Sequence, residues 1–131
     1  MDATDDPAPP LRRILLAEDE PHIRRILHSV LEGEFDIDVA VDGAEAFARL
    51  DSDVVYDLVL TDLMMPVHSG LEVLAHSKHL EHRSQLPVIL LTAKGQDADR
   101  ERALSLGAED FITKPFSPKK LLARIRELIP T

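Results

Sequence analysis

No cysteine occurs among the 131 residues, so neither a disulfide nor a thiolate zinc site is available. No apolar run approaches the roughly 20 residues that a membrane-spanning helix requires. The first ten residues, MDATDDPAPP, are acidic and proline-rich rather than basic and then apolar, so no secretory leader is legible. Together these absences point to the cytoplasm, away from any membrane. Positive charge is also short: 15 Lys and Arg face 24 Asp and Glu, a net charge of −9. A surface of that sign repels a phosphate backbone, so direct nucleic-acid binding by this domain is not expected. Neither G-x-x-x-x-G-K-[ST] nor G-x-G-x-x-G is present, which leaves nucleotide binding without support.

What remains is an ordinary globular chain with 44% apolar residues, enough for one domain with its own core. Residues 1–10 read as a disordered tail and residues 11–131 as the domain. From Leu11 onward short apolar runs alternate with helical patterns. The runs are Ile14 to Ala17, Leu58 to Leu60, Val88 to Leu91 and Phe111 with Ile112, each as a buried parallel strand reads. Ile37, Val39 and Val41 alternate with Asp36, Asp38 and Ala40, which predicts an edge strand open on one side. Between them lie helical stretches from about Pro21 to Gly33, Ala44 to Leu50, Gly70 to His82 and Asp97 to Leu106. A last helix opens on the N-cap Ser117 and Pro118. Its apolar face is Leu121, Leu122, Ile125, Leu128 and Ile129. Five strands alternating with five helices imply an open α/β parallel sheet with helices on both faces.

The chemistry follows the strands. Strand 1 ends in Glu18-Asp19, strand 3 in Thr61-Asp62, strand 4 in Thr92 and strand 5 in Thr113-Lys114. Ligands of open α/β sheets bind outside the carboxyl ends of the strands, so three carboxylates, a hydroxyl and an ammonium are expected at one edge. Closely spaced carboxylates repel one another, and a bound cation relieves that. Oxygen-only donors suit a hard ion such as Mg²⁺. Mg²⁺ with a lysine is the usual equipment for neutralising a transferring phosphoryl group, and a carboxylate can itself be the nucleophile.

The segments ILLAEDE, LVLTDLMMP, PVILLTA and DFITKPF resemble the four signatures of response-regulator receiver domains. The resemblance runs from about Arg12 to Ile129. It implies the flavodoxin-like receiver fold, with strand order 2-1-3-4-5. Asp62 matches the phosphoacceptor, Thr92 the switch hydroxyl and Lys114 the phosphate-binding lysine. Glu18 and Asp19 match the acidic pair, Asp19 touching Mg²⁺ directly and Glu18 acting more through water. Met64 matches the position whose backbone carbonyl contacts the metal, and Phe111 matches the aromatic switch. The Lys114–Pro115 bond matches one that is usually cis. A sensor histidine kinase or a His phosphotransfer protein is the implied donor. A downstream protein or output domain, which the sequence does not name, is the implied recipient of the signal. Such a domain catalyses only its own phosphorylation and dephosphorylation.

Two other functions compete. A phosphorelay intermediate would hand the phosphoryl group on to a His of a transfer protein. A haloacid-type phosphatase would need a second Asp two residues beyond Asp62, where Met64 stands. In the family Met64 and Lys94 flank the approach of a hydrolytic water, and neither side chain orients one well. Other polar residues have plainer expectations. His76, His79 and His82 read as a solvated helix face, Glu20 as first-turn charge, and Arg24 and Arg25 as surface residues of the first helix. That helix often contacts the kinase in similar proteins.

Overall fold

A computed structural model describes residues 11–93 and 98–130. The expected tail, the start of the fourth helix at Asp97, and Lys94 lie outside the described residues. Five strands run in chain order: β1 Arg13–Ala17, β2 Asp36–Ala40, β3 Leu58–Asp62, β4 Val88–Thr92 and β5 Asp110–Thr113. The helices between and after them are α1 Pro21–Leu31, α2 Gly43–Asp51, α3 Gly70–His79, α4 Ala98–Ser105 and α5 Pro118–Leu128. All strand pairs are parallel, in the order β2-β1-β3-β4-β5, so β3 is central, with β1 and β4 on either side.

The continuous apolar strands are buried on both faces, as parallel strands flanked by helices must be. Ile14, Leu16, Leu58, Leu60, Ile89 and Leu91 point to one face and meet Leu27 and Leu31 of α1 and Leu121 and Ile125 of α5. Leu15, Ala17, Val59 and Leu90 point to the other, against Ala46 and Leu50 of α2, Val73 and Leu74 of α3 and Ala103 of α4. Each fully buried Leu or Ile here contributes about 2 kcal/mol of hydrophobic stabilisation. The first turn of α5 is as the sequence predicts, with Ser117 accepting from the Lys120 amide and Pro118 in the first turn.

Two local expectations change. β2 lies at the sheet edge, but its second side is not open. Ala40 is buried in the cluster under α2 and α3, the Tyr56 hydroxyl donates to Asp38, and Val41 lies past the strand end and is exposed. The third helix stops at His79 rather than His82. Leu80 turns extended, a 3₁₀ turn follows at Glu81–Arg83, and the buried Arg83 reaches the carbonyls of Leu50 (3.1 Å) and Ser52 (2.9 Å). Those are orphan carbonyls at the end of α2.

Candidate functional site

The sheet register brings the ends of the central strands level. Ala17 pairs with Thr61, Asp62 with Leu91 and Thr92 with Thr113. Backbone bonds beyond the strands hold the next residues in line. The Glu18 amide donates to Ala40, Leu63 to Leu91 (2.7 Å) and Lys114 to Thr92 (2.6 Å). The polar residues that follow each apolar run therefore converge, as their sequence positions predict.

Glu18, Asp19 and Asp62 each offer a carboxylate oxygen within 4.8 Å of the others. Glu18 is fully buried and Asp62 is 7% exposed. The ammonium of Lys114 stands 3.1 Å from Glu18 Oε1 and 3.2 Å from Asp62 Oδ1. Among the described residues, Glu18 Oε2 is buried with no hydrogen-bond partner. Burial, then the neighbouring carboxylate of Asp62, pushes the Glu18 acid up to about 8, against the pull of Lys114. Burial pulls Lys114 downward, but the charges of Asp62 and Glu18 outweigh it and its pKa is raised. With all three carboxylates ionised, one ammonium does not neutralise them. A hard cation fits the remaining imbalance: the donors are all oxygen, and the orphaned Oε2 lacks the partner that a buried polar atom normally has.

Thr92 is fully buried, and its hydroxyl donates to the Ala93 carbonyl at 3.3 Å. Phe111 lies two register positions back on β5, opposite Leu90, with its ring inward, 3% exposed, in the cluster that holds Leu90 and Ala103. The Lys114–Pro115 peptide is cis. Met64 is 61% exposed on the loop after β3.

That loop is tightly held. A Cβ on Gly70 would stand 2.3 Å from the Asp62 carbonyl oxygen, so only glycine lets α3 start so close to the acceptor. Val67 adopts φ 71°, a left-handed conformation that costs a β-branched residue about 1–3 kcal/mol.

Several polar residues have roles that their sequence context does not reveal. Arg24 is not simply a surface residue of α1: it folds back and donates to the Glu18 carbonyl at 2.9 Å, fixing the loop that carries the acidic pair. Glu20 caps α1 by accepting from His22 and Ile23, and those bonds lower its pKa. The three histidines form a solvated face only in part: His79 and His82 are exposed, and His76 is half-buried. His76 meets Asp51 at 2.7 Å, His82 donates to the Ser52 carbonyl at 3.2 Å, and of the three only His79 is exposed without such a contact.

The sequence pattern of the response regulator receiver domain matches residues 14–126. The chain belongs to that family. It is 40% identical over 130 residues to the transcriptional regulatory protein ResD of Bacillus subtilis, covering 98% of this chain and 50% of that protein. It is 41% identical over 118 residues to the phosphate regulon transcriptional regulatory protein PhoB of Escherichia coli, covering 90% of this chain and 52% of the other. The chain thus spans about half the length of the curated relatives it matches. Among solved structures, it superimposes with a TM-score of 0.83 on the receiver domain of a sensor histidine kinase from Pseudomonas aeruginosa. That likeness has 28% identity and covers 92% of this chain and 99% of that one, and that structure holds a magnesium ion in its active-site cleft. The fold is therefore that of a phospho-switch in two-component signalling. No described helix is long and apolar enough to cross a membrane.

Proposed function

We propose that this domain accepts a phosphoryl group on Asp62 from the phosphohistidine of a sensor kinase or a His phosphotransfer protein, with Mg²⁺ bound at the strand ends. The observation that carries the reading is the convergence of Glu18, Asp19 and Asp62 within 4.8 Å, with Lys114 3.2 Å from Asp62. Asp19, Asp62 and the backbone carbonyl of Met64 would hold the ion, with Glu18 acting more through water. Bound Mg²⁺ supplies charge neutralisation for the transferring group. An Asp62 oxygen attacks phosphorus, the P–N bond to the donor imidazole breaks, and the imidazole leaves neutral after taking up a proton. Lys114 then turns from Asp62 to the new phosphoryl oxygens, where its charge-assisted hydrogen bonds are strong.

The switch rests on Thr92 and Phe111. Phosphoryl oxygens draw the Thr92 hydroxyl toward Asp62. The Phe111 ring, expected to turn inward only then, is already inward without a phosphoryl group, so the vacated space acts by holding it there more firmly. The surface of α4, β5 and α5 changes population with it. α4 suits that role, since Ala103 is its one buried residue and Leu104 is 44% exposed, so little apolar contact holds it in place. The phosphorylated face then binds a downstream protein or output domain. The names of the curated relatives make control of transcription the first output to examine. Amide hydrogen exchange with and without a beryllofluoride phosphoryl mimic tests the switch. Changes on α4, β5 and α5 are expected, and changes confined to α2 and α3 would contradict it.

A further inference from the structure

The loop between β3 and α3, residues 63–69, carries Met64 next to the acceptor. Its ends are closed by the Gly70 amide, which donates to the Leu63 carbonyl at 2.7 Å. Met65 packs on the core at the near side. The far side is gripped by α2. The Gly43 amide donates to the Pro66 carbonyl at 3.1 Å. A Cβ on Gly43 would lie 2.3, 2.5 and 2.6 Å from the carbonyl oxygen, Cβ and nitrogen of His68, so the backbone of α2 touches the loop directly. One turn further along α2, the ring of Phe47 lies flat between two imidazoles. His68 of the loop stacks on one side at 3.9 Å and 10°, and His76 of α3 on the other at 4.0 Å and 9°. Each imidazole is held from outside the stack. His68 Nδ1 is 3.1 Å from Glu72 Oε2, and His76 Nε2 is 2.7 Å from Asp51 Oδ1. Glu72 is itself fixed by a reciprocal capping box with Ser69.

We propose that the His68–Phe47–His76 stack positions the acceptor loop for metal binding, with Phe47 and His68 as positioning residues. The inference rests on the Mg²⁺ site proposed above. Loop, α2 and α3 are joined in one column that fixes His68, and His68 closes the short span that starts at Asp62. Val67 sits in a tight turn that the His68 amide closes by donating to the Pro66 carbonyl at 2.9 Å, and the turn is anchored at both ends, Pro66 by Gly43 and His68 by Phe47. Released, it relaxes toward the extended region, and the carbonyls from Met64 to Pro66 turn with it. Met64 is too exposed to resist that movement. An aliphatic side chain in place of Phe47 fills the space but offers no flat face to fix the imidazole planes.

The test compares wild type, Phe47→Leu, His68→Ala and Phe47→Tyr as full chains. Mg²⁺ affinity is measured by calorimetric titration, and exchange of the loop amides by NMR on the metal-free protein. The leucine and alanine variants should bind Mg²⁺ about tenfold more weakly, as loss of ligand support commonly does, and exchange the amide of residue 68 faster relative to that residue's intrinsic rate. The tyrosine variant should match wild type in both. Wild-type affinity and wild-type exchange in both weakened variants would overturn the proposal. If wild type itself binds no Mg²⁺, the metal reading fails, and the exchange data still decide whether the stack holds the loop. His68→Ala, at a site 32% exposed, carries the test if Phe47→Leu does not fold.

Discussion

Lys114 Nζ lies 3.2 Å from Asp62 Oδ1, across 52 residues of chain, because β3 and β5 both flank β4 and end level with it. The lysine is thus preassembled on the acceptor, but it is not a metal ligand. Lys114→Ala should therefore keep or tighten Mg²⁺ binding, since a competing cation is removed. It should slow phosphorylation by acetyl phosphate on the order of 10²-fold, as loss of one charge-stabilising donor does. Asp19→Ala should weaken Mg²⁺ binding instead. A metal titration in which Lys114→Ala loses affinity while Asp19→Ala keeps it would reverse the assigned roles.

The buried Glu18 makes the metal-free domain sensitive to pH. Its acid is raised from 4.5 to about 8, so the folded state binds a proton that the unfolded chain has released. The stabilisation from this group is complete below pH 4.5 and is lost as pH rises through about 8. The melting temperature of wild type relative to Glu18→Gln should fall across that range without metal. Mg²⁺, by favouring the ionised carboxylate, should remove most of the trend. A constant difference between the two proteins would show that Glu18 does not titrate there.

Much of this site is legible in the sequence because parallel strands convert a local pattern into a spatial one. Acid, hydroxyl or lysine directly after an apolar run becomes a residue at one edge of the sheet, which is how Glu18, Asp19, Asp62, Thr92 and Lys114 are found. Contacts made by helix faces carry no such local mark. Phe47 and His68 are 21 positions apart, and nothing in either neighbourhood says that one ring lies on the other. Arg83 lies just past the expected end of the third helix, and nothing in its neighbourhood says that it is buried against the last carbonyls of α2. The alternation in β2 is read correctly through Val39. It misleads at Ala40 and Val41, because the helix layer over β2 reaches Ala40 while the strand ends there.

Met64 bears on how long the acyl phosphate lasts. Its thioether is a weak acceptor and gives a hydrolytic water no firm orientation, so the phosphorylated form should persist longer than in chemotaxis-type regulators. Met64→Asn, with or without Lys94→Glu, should speed dephosphorylation several-fold by restoring a group that positions water. Dephosphorylation at or below the wild-type rate in both variants would show that this position does not limit hydrolysis.

Phosphoryl acceptance by Asp62 is the claim on which the rest depends. Incubation with acetyl phosphate and Mg²⁺, read by intact-protein mass spectrometry, tests it directly. Wild type should gain one phosphoryl group that is labile to hydroxylamine, as an acyl phosphate is, and Asp62→Asn should gain none. Labelling of Asp62→Asn at the wild-type rate, or no labelling of wild type in the presence of Mg²⁺, would contradict the account.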